Sequence, residues 1–198
     1  MATVTHYKYT QMDESRFLNN QFLIAMPNLA DPSFFHTVTY LCQHNEDGAL
    51  GIVINRPAGM TLGDIFKQME IKVSAPNVGS MSVYSGGPVQ QERGFVIHDA
   101  GGHWDSSILI SENIALTTSR DILEAIAVGA GPSHFLVALG YAGWSAGQLE
   151  REVTNNAWLN APFAADILFS TPPPLRWNQA AKQIGVDINL LTFQAGHG

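Results

Sequence analysis

The sequence predicts an α+β fold in which a single domain carries a mixed, mostly antiparallel β-sheet. Hairpin signals in the first half of the chain favour antiparallel pairing, and alternating strand and helix signals in the second half favour at least one crossover. With 198 residues, 45% of them hydrophobic and 14% charged, the chain is long enough for one packed domain. It is also too apolar for intrinsic disorder.

The first half carries strand signals, which are short β-branched, aromatic or apolar runs ending at Pro, Gly, Asn or Asp. The clearest of them flank the turn Asn45–Gly48, where His36–His44 is rich in Thr, Val and Tyr and Ala49–Asn55 is nearly all apolar. We predict a hairpin whose second strand is buried on both faces. The other elements predicted here are a strand at Gln21–Met26, a short helix from Thr61 to Met69, a loop at Val73–Ser82, and short strands at Val83–Tyr84 and Gly94–His98.

The second half carries the clearest helix signal. Thr118 or Ser119 can cap a helix whose apolar stripe includes Ile122 and Ile126 and which ends at Gly129. The other elements predicted here are a short strand at Ile108–Ile110, a buried strand at His134–Tyr141, a polar helix from a capping box at Ser145–Gln148 through Val153, and a final helix at Leu175–Ile184.

Charge and apolar patterning exclude several classes of protein. Seventeen acidic and ten basic residues give a formal net charge of −7 without a basic cluster, so we expect no direct contact with nucleic acid. The single Cys42 excludes an intramolecular disulfide, and Met1–Gln11 lacks the apolar run of a signal peptide. Apolar runs such as Phe135–Leu139 are far shorter than the ~20 residues that span a bilayer. We therefore expect a cytoplasmic protein without membrane contact.

Familiar cofactor and metal motifs are absent from the sequence. There is no G-x-x-x-x-G-K-[ST], and Gly140, Gly143 and Gly147 have the wrong spacing for G-x-G-x-x-G. No H-E-x-x-H occurs, and one cysteine cannot build a cysteine-rich zinc site. We expect no cofactor and no metal.

Ser145 lies in a G-x-S-x-G pattern, Gly143–Gly147, between a predicted strand and a predicted helix. This is the context of a nucleophile elbow, and a hydrolase would then need His197 as base and Asp166 or Asp187 as the orienting acid. Alternatively, Ser145 is the N-cap of the following helix. We favour the cap, because a capping box explains the serine without a triad.

Cys42 and His44 are two residues apart on a predicted strand, so their side chains share a face. Counting outward from the turn pairs His44 with Ala49 and Cys42 with Gly51, which leaves room above the thiol. A protonated His44 would favour the thiolate and make Cys42 a nucleophile or a redox sensor. The alternative is a small cysteine buried in the core.

Residues that follow strands or open a helix are candidates for binding a small anionic ligand. Backbone N–H groups in a glycine turn and hydroxyls at a helix start can both bind anions. Ordinary turns and helix caps explain the same residues. The candidate ligand-binding residues are Asn55, Arg56, Gly86, Gly87, Thr118, Ser119 and Arg120.

Seven ordered motifs resemble the AlgH/YqgE family of bacterial proteins over Leu18 to His197. The motifs are Phe22–Pro27, Tyr40–Asn45, Gly51–Pro57, Gly86–Val89, Leu116–Asp121, Leu139–Trp144 and Asn156–Leu159.

The resemblance implies one compact domain with a branched, partly barrel-like sheet flanked by helices. We assign this domain to residues 1–198 and expect residues 1–17 to be a flexible N-terminal segment. The family's association with transcriptional control implies a regulatory or binding module, acting through an unknown protein or small anionic ligand rather than on DNA directly. It supplies no catalytic residue that could be carried over. The competing hypothesis is a small enzyme or redox sensor at Cys42 and His44, or a hydrolase at Ser145.

Overall fold

Ten strands form one curled sheet within residues 17–193, the part of the chain that the computed structural model describes. The strands are β1 (Gln21–Ala25), β2 (Val38–Asn45), β3 (Gly48–Val53), β4 (Pro57–Thr61), β5 (Ser82–Ser85), β6 (Val89–Asp99), β7 (Ser107–Leu109), β8 (Ile114–Thr117), β9 (Phe135–Ser145) and β10 (Trp158–Pro162). The predicted flexible segment at residues 1–17 lies outside the described residues except for Phe17.

Six α-helices flank the sheet in the same part of the chain. They are α1 (Leu62–Gln68), α2 (Arg120–Ala127), α3 (Gln148–Thr154), α4 (Ala165–Phe169), α5 (Pro173–Gln183) and α6 (Ile188–Phe193). Helix α1 begins after Thr61, whose N–H donates to Asp64 Oδ2 at 2.8 Å, as a capping box requires. Helix α5 begins with a proline at its first turn, where the missing N–H costs nothing.

The sheet runs in the order β10-β1-β2-β3-β9-β6-β8-β7, with antiparallel neighbours throughout this path. The branch is formed by β5, which pairs antiparallel with β4 and parallel with β9. Strand β9 thus pairs with β3, β5 and β6 along its length. The predicted class is confirmed: a single compact α+β domain with a mostly antiparallel, half-barrel sheet and flanking helices.

The predicted hairpin of β2 and β3 forms, but its register differs from the prediction. His44 pairs with Ala49 as expected, whereas Gly51 pairs with Leu41 rather than with Cys42. A β-bulge between Leu41 and Gln43 inserts Cys42 as an extra residue, which shifts the pairing beyond it. The predicted burial of the second strand on both faces holds for Gly51–Val53 of β3, whereas Gly48–Leu50 are only half-buried.

Several elements were not predicted. Strand β4 begins Pro57-Ala-Gly, which looks like a turn, and β8 is only four residues long. Strand β10 and the short helices α4 and α6 were also missed, and β6 begins at Val89 rather than at Gly94.

The apolar interior has three clusters, one for each set of helices. The largest packs one side of the sheet against α4, α5 and α6. The second lies beneath α1 and α2, and the third lies beneath α3 around Trp144 and Trp158. The second cluster leaves a space unfilled, and that space is the candidate site.

Candidate functional site

A cavity of about 400 Å³ opens between α1, α2 and the face of the sheet formed by β6, β8 and β9. Small-molecule sites typically enclose about 300–1,000 Å³ and are mostly apolar with a few polar groups. The wall of this cavity has that character. Its apolar lining includes Ile65 of α1, Met69 directly after α1, Leu123 of α2, Val96 of β6, and Val137 and Leu139 of β9.

The rim of the cavity is polar and comes mainly from the start of α2. Thr118, Ser119 and Arg120 all line the cavity, together with Glu92 and Gln68. The structure thus places the predicted helix-start residues at the mouth of an apolar space.

The Ser119 hydroxyl is hydrogen-bonded within its own loop. It donates to Asp121 Oδ1 at 2.5 Å and accepts a hydrogen bond from Ser106 N–H at 3.1 Å. Asp121 also accepts from Asp105 N–H and Ile122 N–H. Although burial acts to raise it, these hydrogen bonds lower the pKa of Asp121. Ser119 and Asp121 therefore stabilise the start of α2, and their hydrogen bonds are made within the protein.

Thr118 and Arg120 are the residues at the rim whose side chains can bind a ligand. Thr118 Oγ1 accepts a 3.4 Å hydrogen bond from Arg93. Arg120 Nε lies 2.6 Å from Glu124 Oε1 one turn later, and both side chains are 51% exposed. An exposed pair of this kind contributes only about 0–1 kcal/mol, so a carboxylate at the rim can compete for Arg120.

Gly94 leaves part of the cavity wall open. A Cβ added there would meet no heavy atom within 4 Å, and the residue lacks a positive φ. A larger residue at position 94 would therefore fit the backbone and extend into the cavity.

Asn55 and Arg56 hold the chain segment that precedes β2. Asn55 accepts from Val38 N–H and donates to the carbonyl oxygen of His36, each at 2.9 Å. The Arg56 guanidinium donates to the carbonyl oxygens of Pro32, Ser33 and Phe35 at 2.7–2.9 Å. The polar atoms of both residues are thus used within the fold.

Gly86 and Gly87 allow close approach of β5 to β9. A Cβ at Gly86 would lie 2.3 Å from the carbonyl oxygen of Gly140, and one at Gly87 would lie 2.1 Å from the carbonyl carbon of Tyr141. Gly86 N–H donates to the carbonyl oxygen of Leu139 at 2.8 Å, so it does not present its proton to an anion. The two glycines are needed for packing.

Cys42 and His44 do not form a pair, which corrects the prediction that they share a face. The bulge separates them: Cys42 packs in the largest cluster and donates its S–H to the carbonyl oxygen of Tyr40 at 3.6 Å. His44 Nδ1 accepts from Leu18 N–H at 3.0 Å, and its Nε2 lies 3.2 Å from Glu150 Oε1. Burial raises the pKa of the Cys42 thiol, which disfavours the thiolate.

Ser145 is the last residue of β9 and bonds to the first residue of α3. Its N–H and hydroxyl donate to Gln148 Oε1 at 3.0 and 3.2 Å. The N-cap of α3 is Gly147, in the left-handed conformation, so the prediction that Ser145 itself is the N-cap is wrong. The predicted base His197 lies outside the described residues.

The predicted residues therefore lie in separate places, and of them only Thr118, Ser119 and Arg120 line the cavity. Sequence reasoning missed its walls, including Gly94, Thr117, Leu123 and Leu139. The helix-start pattern could identify the rim. The walls come from strands and helices whose pairing leaves no local signal.

Within residues 17–193, no group of three or more His, Cys, Asp or Glu side chains is placed to hold a metal ion. Among the helices described there, none is both long and apolar enough to cross a membrane.

Comparison with known proteins decides the family. The model of the AlgH-like family, DUF179, matches residues 22–189. The chain belongs to this AlgH-like family. A UPF0301 protein of Methylococcus capsulatus is 57% identical over 93% of this chain and 98% of its own length. A UPF0301 protein of Thioalkalivibrio sulfidiphilus is 55% identical over 94% of this chain and 100% of its own length.

Solved structures agree with the AlgH-like fold. The solution structure of AlgH from Pseudomonas aeruginosa is 46% identical, covers 98% of this chain and 100% of its own, and superimposes with a TM-score of 0.76. A protein of Corynebacterium diphtheriae shares only 18% identity, but its crystal structure superimposes with a TM-score of 0.69 over 88% of this chain and 91% of its own. The second similarity concerns the fold alone.

Proposed function

We propose that this AlgH-like protein is a regulatory binding module that takes a small, mainly apolar molecule with an anionic end into the cavity beneath α1 and α2. The observation that carries the proposal is the cavity itself, which is about 400 Å³ in volume and apolar-walled. Arg120 and the N-terminal end of α2 favour a negative charge at the rim. The apolar walls favour a hydrocarbon body.

The module acts without direct DNA contact. Its net charge is −7, and clustered Lys and Arg side chains are absent from the sequence. A conformational signal to a partner protein would instead pass through α1 and α2, because both helices line the cavity.

Neither enzyme hypothesis from the sequence gains support from the geometry. The thiol of Cys42 is buried and separated from His44, and the Ser145 hydroxyl contacts Gln148 rather than a histidine.

The test is titration of the full chain with octanoate, with binding measured by isothermal titration calorimetry. Octylamine serves as the matched ligand with the opposite charge. We expect octanoate to bind more tightly, and Gly94→Leu to weaken its binding by at least about tenfold, or 1.4 kcal/mol. Arg120→Gln should weaken octanoate binding by about two- to fivefold and leave octylamine binding unchanged.

The matched control is Gln91→Leu, which adds the same side chain on the same strand at an exposed residue that does not line the cavity. It should bind octanoate like the unmodified chain. The proposal is wrong if octanoate does not bind, or if Gly94→Leu binds it normally. A salt-sensitive, sub-micromolar mobility shift with duplex DNA would contradict the absence of DNA contact.

A further inference from the structure

Three side chains form a hydrogen-bonded series that runs from the edge of the sheet into its interior. Ser107 Oγ lies 2.6 Å from Thr117 Oγ1, which lies 2.7 Å from His98 Nε2. The other ring nitrogen, Nδ1, lies 2.7 Å from the carbonyl oxygen of Asp99. Strand pairing holds the series, because Ser107 lies directly opposite Thr117 on β7 and β8.

The carbonyl oxygen of Asp99 sets the direction of these hydrogen bonds. A carbonyl can only accept, so Nδ1 of His98 carries a proton and Nε2 of the neutral ring accepts from the Thr117 hydroxyl. Thr117 has then used its only proton, so the Ser107 hydroxyl donates to Thr117. The carbonyl oxygen of Trp104 lies farther from Ser107 Oγ, at 3.3 Å. Ser107 is therefore hydrogen-bonded through one hydroxyl to a basic nitrogen.

Burial keeps the imidazole in its neutral form. His98 is 1% exposed and Thr117 is 0% exposed, whereas Ser107 is exposed. Burial lowers the pKa of His98, against the opposing effects of the hydrogen bond and charge of Asp99. The base is thus shielded from water, and the hydroxyl at the other end of the series is open to it.

We propose that Ser107 is a nucleophile that accepts acyl groups from small activated esters, and that Thr117 relays its proton to His98. Ser107 Oγ attacks the ester carbonyl carbon, its proton passes to Thr117 as the Thr117 proton passes to His98 Nε2, and the alkoxide or phenolate leaves. Water then attacks the acyl-serine carbonyl. The water loses both of its protons to solvent as the carboxylate forms and leaves, and His98 returns its proton to Ser107 Oγ through Thr117.

A second cavity adjoins the strand that carries this serine. It measures about 360 Å³, and its lining includes Ser107, Arg93 and the apolar Phe95, Leu116 and Tyr141. The apolar lining suits the hydrocarbon part of an ester. The inference does not depend on what the first cavity binds.

The test is reaction of the full chain with a fluorophosphonate probe, with the labelled residue identified by peptide mass spectrometry. In this reaction Ser107 Oγ attacks phosphorus, fluoride leaves, and the serine proton passes to His98. We expect labelling at Ser107, and loss of that labelling in Ser107→Ala. Thr117→Val should slow labelling by about 100-fold, the usual size of a general-base effect, and Thr117→Ser should restore it to within about threefold.

The matched control is Ser82→Ala, which removes an exposed serine on β5 that does not line the second cavity and should label at the normal rate. His98→Gln should slow labelling as Thr117→Val does, because an amide can accept the hydrogen bond but cannot take the proton. The inference is overturned if Ser107 stays unlabelled, or if a folded Thr117→Val labels normally. Should Thr117→Val fail to fold, unchanged labelling of Ser107 in His98→Gln overturns it instead.

Discussion

Glu152 holds together the cluster beneath α3, and its removal gives a sharp test of how that cluster is stabilised. The Nε1–H groups of Trp144 and Trp158 donate to the same oxygen, Glu152 Oε2, at 2.8 and 2.9 Å. Gln148 Nε2 donates to the other oxygen at 2.9 Å. Glu152 thereby joins β9, α3 and β10 through one carboxylate.

The magnitude follows from the burial of the two indoles. Trp144 is 6% exposed and Trp158 is 3% exposed, so in Glu152→Ala each N–H loses a charged acceptor in a nearly dry environment. Hydrogen bonds to charged groups are worth about 1.5–3 kcal/mol each. Because Glu152 is itself half-buried, water can partly replace it, and we expect a total loss of about 3 kcal/mol. For a chain of this size that lowers Tm by about 6–12 °C.

The assay is urea unfolding followed by far-UV circular dichroism, which does not depend on the fluorescence of the two tryptophans. Glu152→Gln keeps one oxygen acceptor and should lose only about 1 kcal/mol. Glu46→Ala, at an exposed turn, is the control and should change stability by less than about 0.5 kcal/mol. If Glu152→Ala is no less stable than Glu46→Ala, the carboxylate is not what stabilises the cluster.

Two further predictions concern residues that the sequence singled out. At pH 8, Cys42 should react with iodoacetamide at least about tenfold more slowly in the native chain than in the urea-unfolded chain. The reason is that Cys42 is 4% exposed and burial raises the pKa of its thiol. An equal or faster rate in the native chain, measured by mass spectrometry, would show that the thiol is accessible. Ser145→Ala should cost only about 0.5–1 kcal/mol in urea unfolding, because the Gln148 side chain keeps its bond to the Ser145 N–H; a larger loss would give the serine hydroxyl a greater role.

Local signals predicted those parts of the fold that depend on local interactions. The turn at Asn45–Gly48 gives the β2–β3 hairpin, and the stripe through Ile122 and Ile126 gives α2. The bulge at Cys42 could not be predicted, because it contains no glycine and no break in the apolar pattern. Because of that single extra residue, the side chains of Cys42 and His44 do not share a face of the strand as predicted.

Local signals likewise predicted only one part of the candidate site. Thr118 and Arg120 were found because a helix start has a recognisable pattern of hydroxyl and charged residues. The opposite wall was missed, since Gly94 faces Leu139 only through the long-range pairing of β6 with β9. An isolated glycine in a strand has no distinctive signal until its neighbours across the sheet are known.

Gly94 also contributes to the open space of the cavity. Strand β6 breaks its register with β9 between Val89 and Gly94, so the sheet face is irregular at the point that α1 and α2 cover. A larger residue at 94 would fill part of the space without a backbone clash, and filling space in an apolar cluster usually stabilises a protein. The chain therefore keeps an opening of about 400 Å³ at a position where its own geometry allows a side chain. An apolar-walled space with a few polar groups, most of them at its rim, is typical of a ligand-binding cavity.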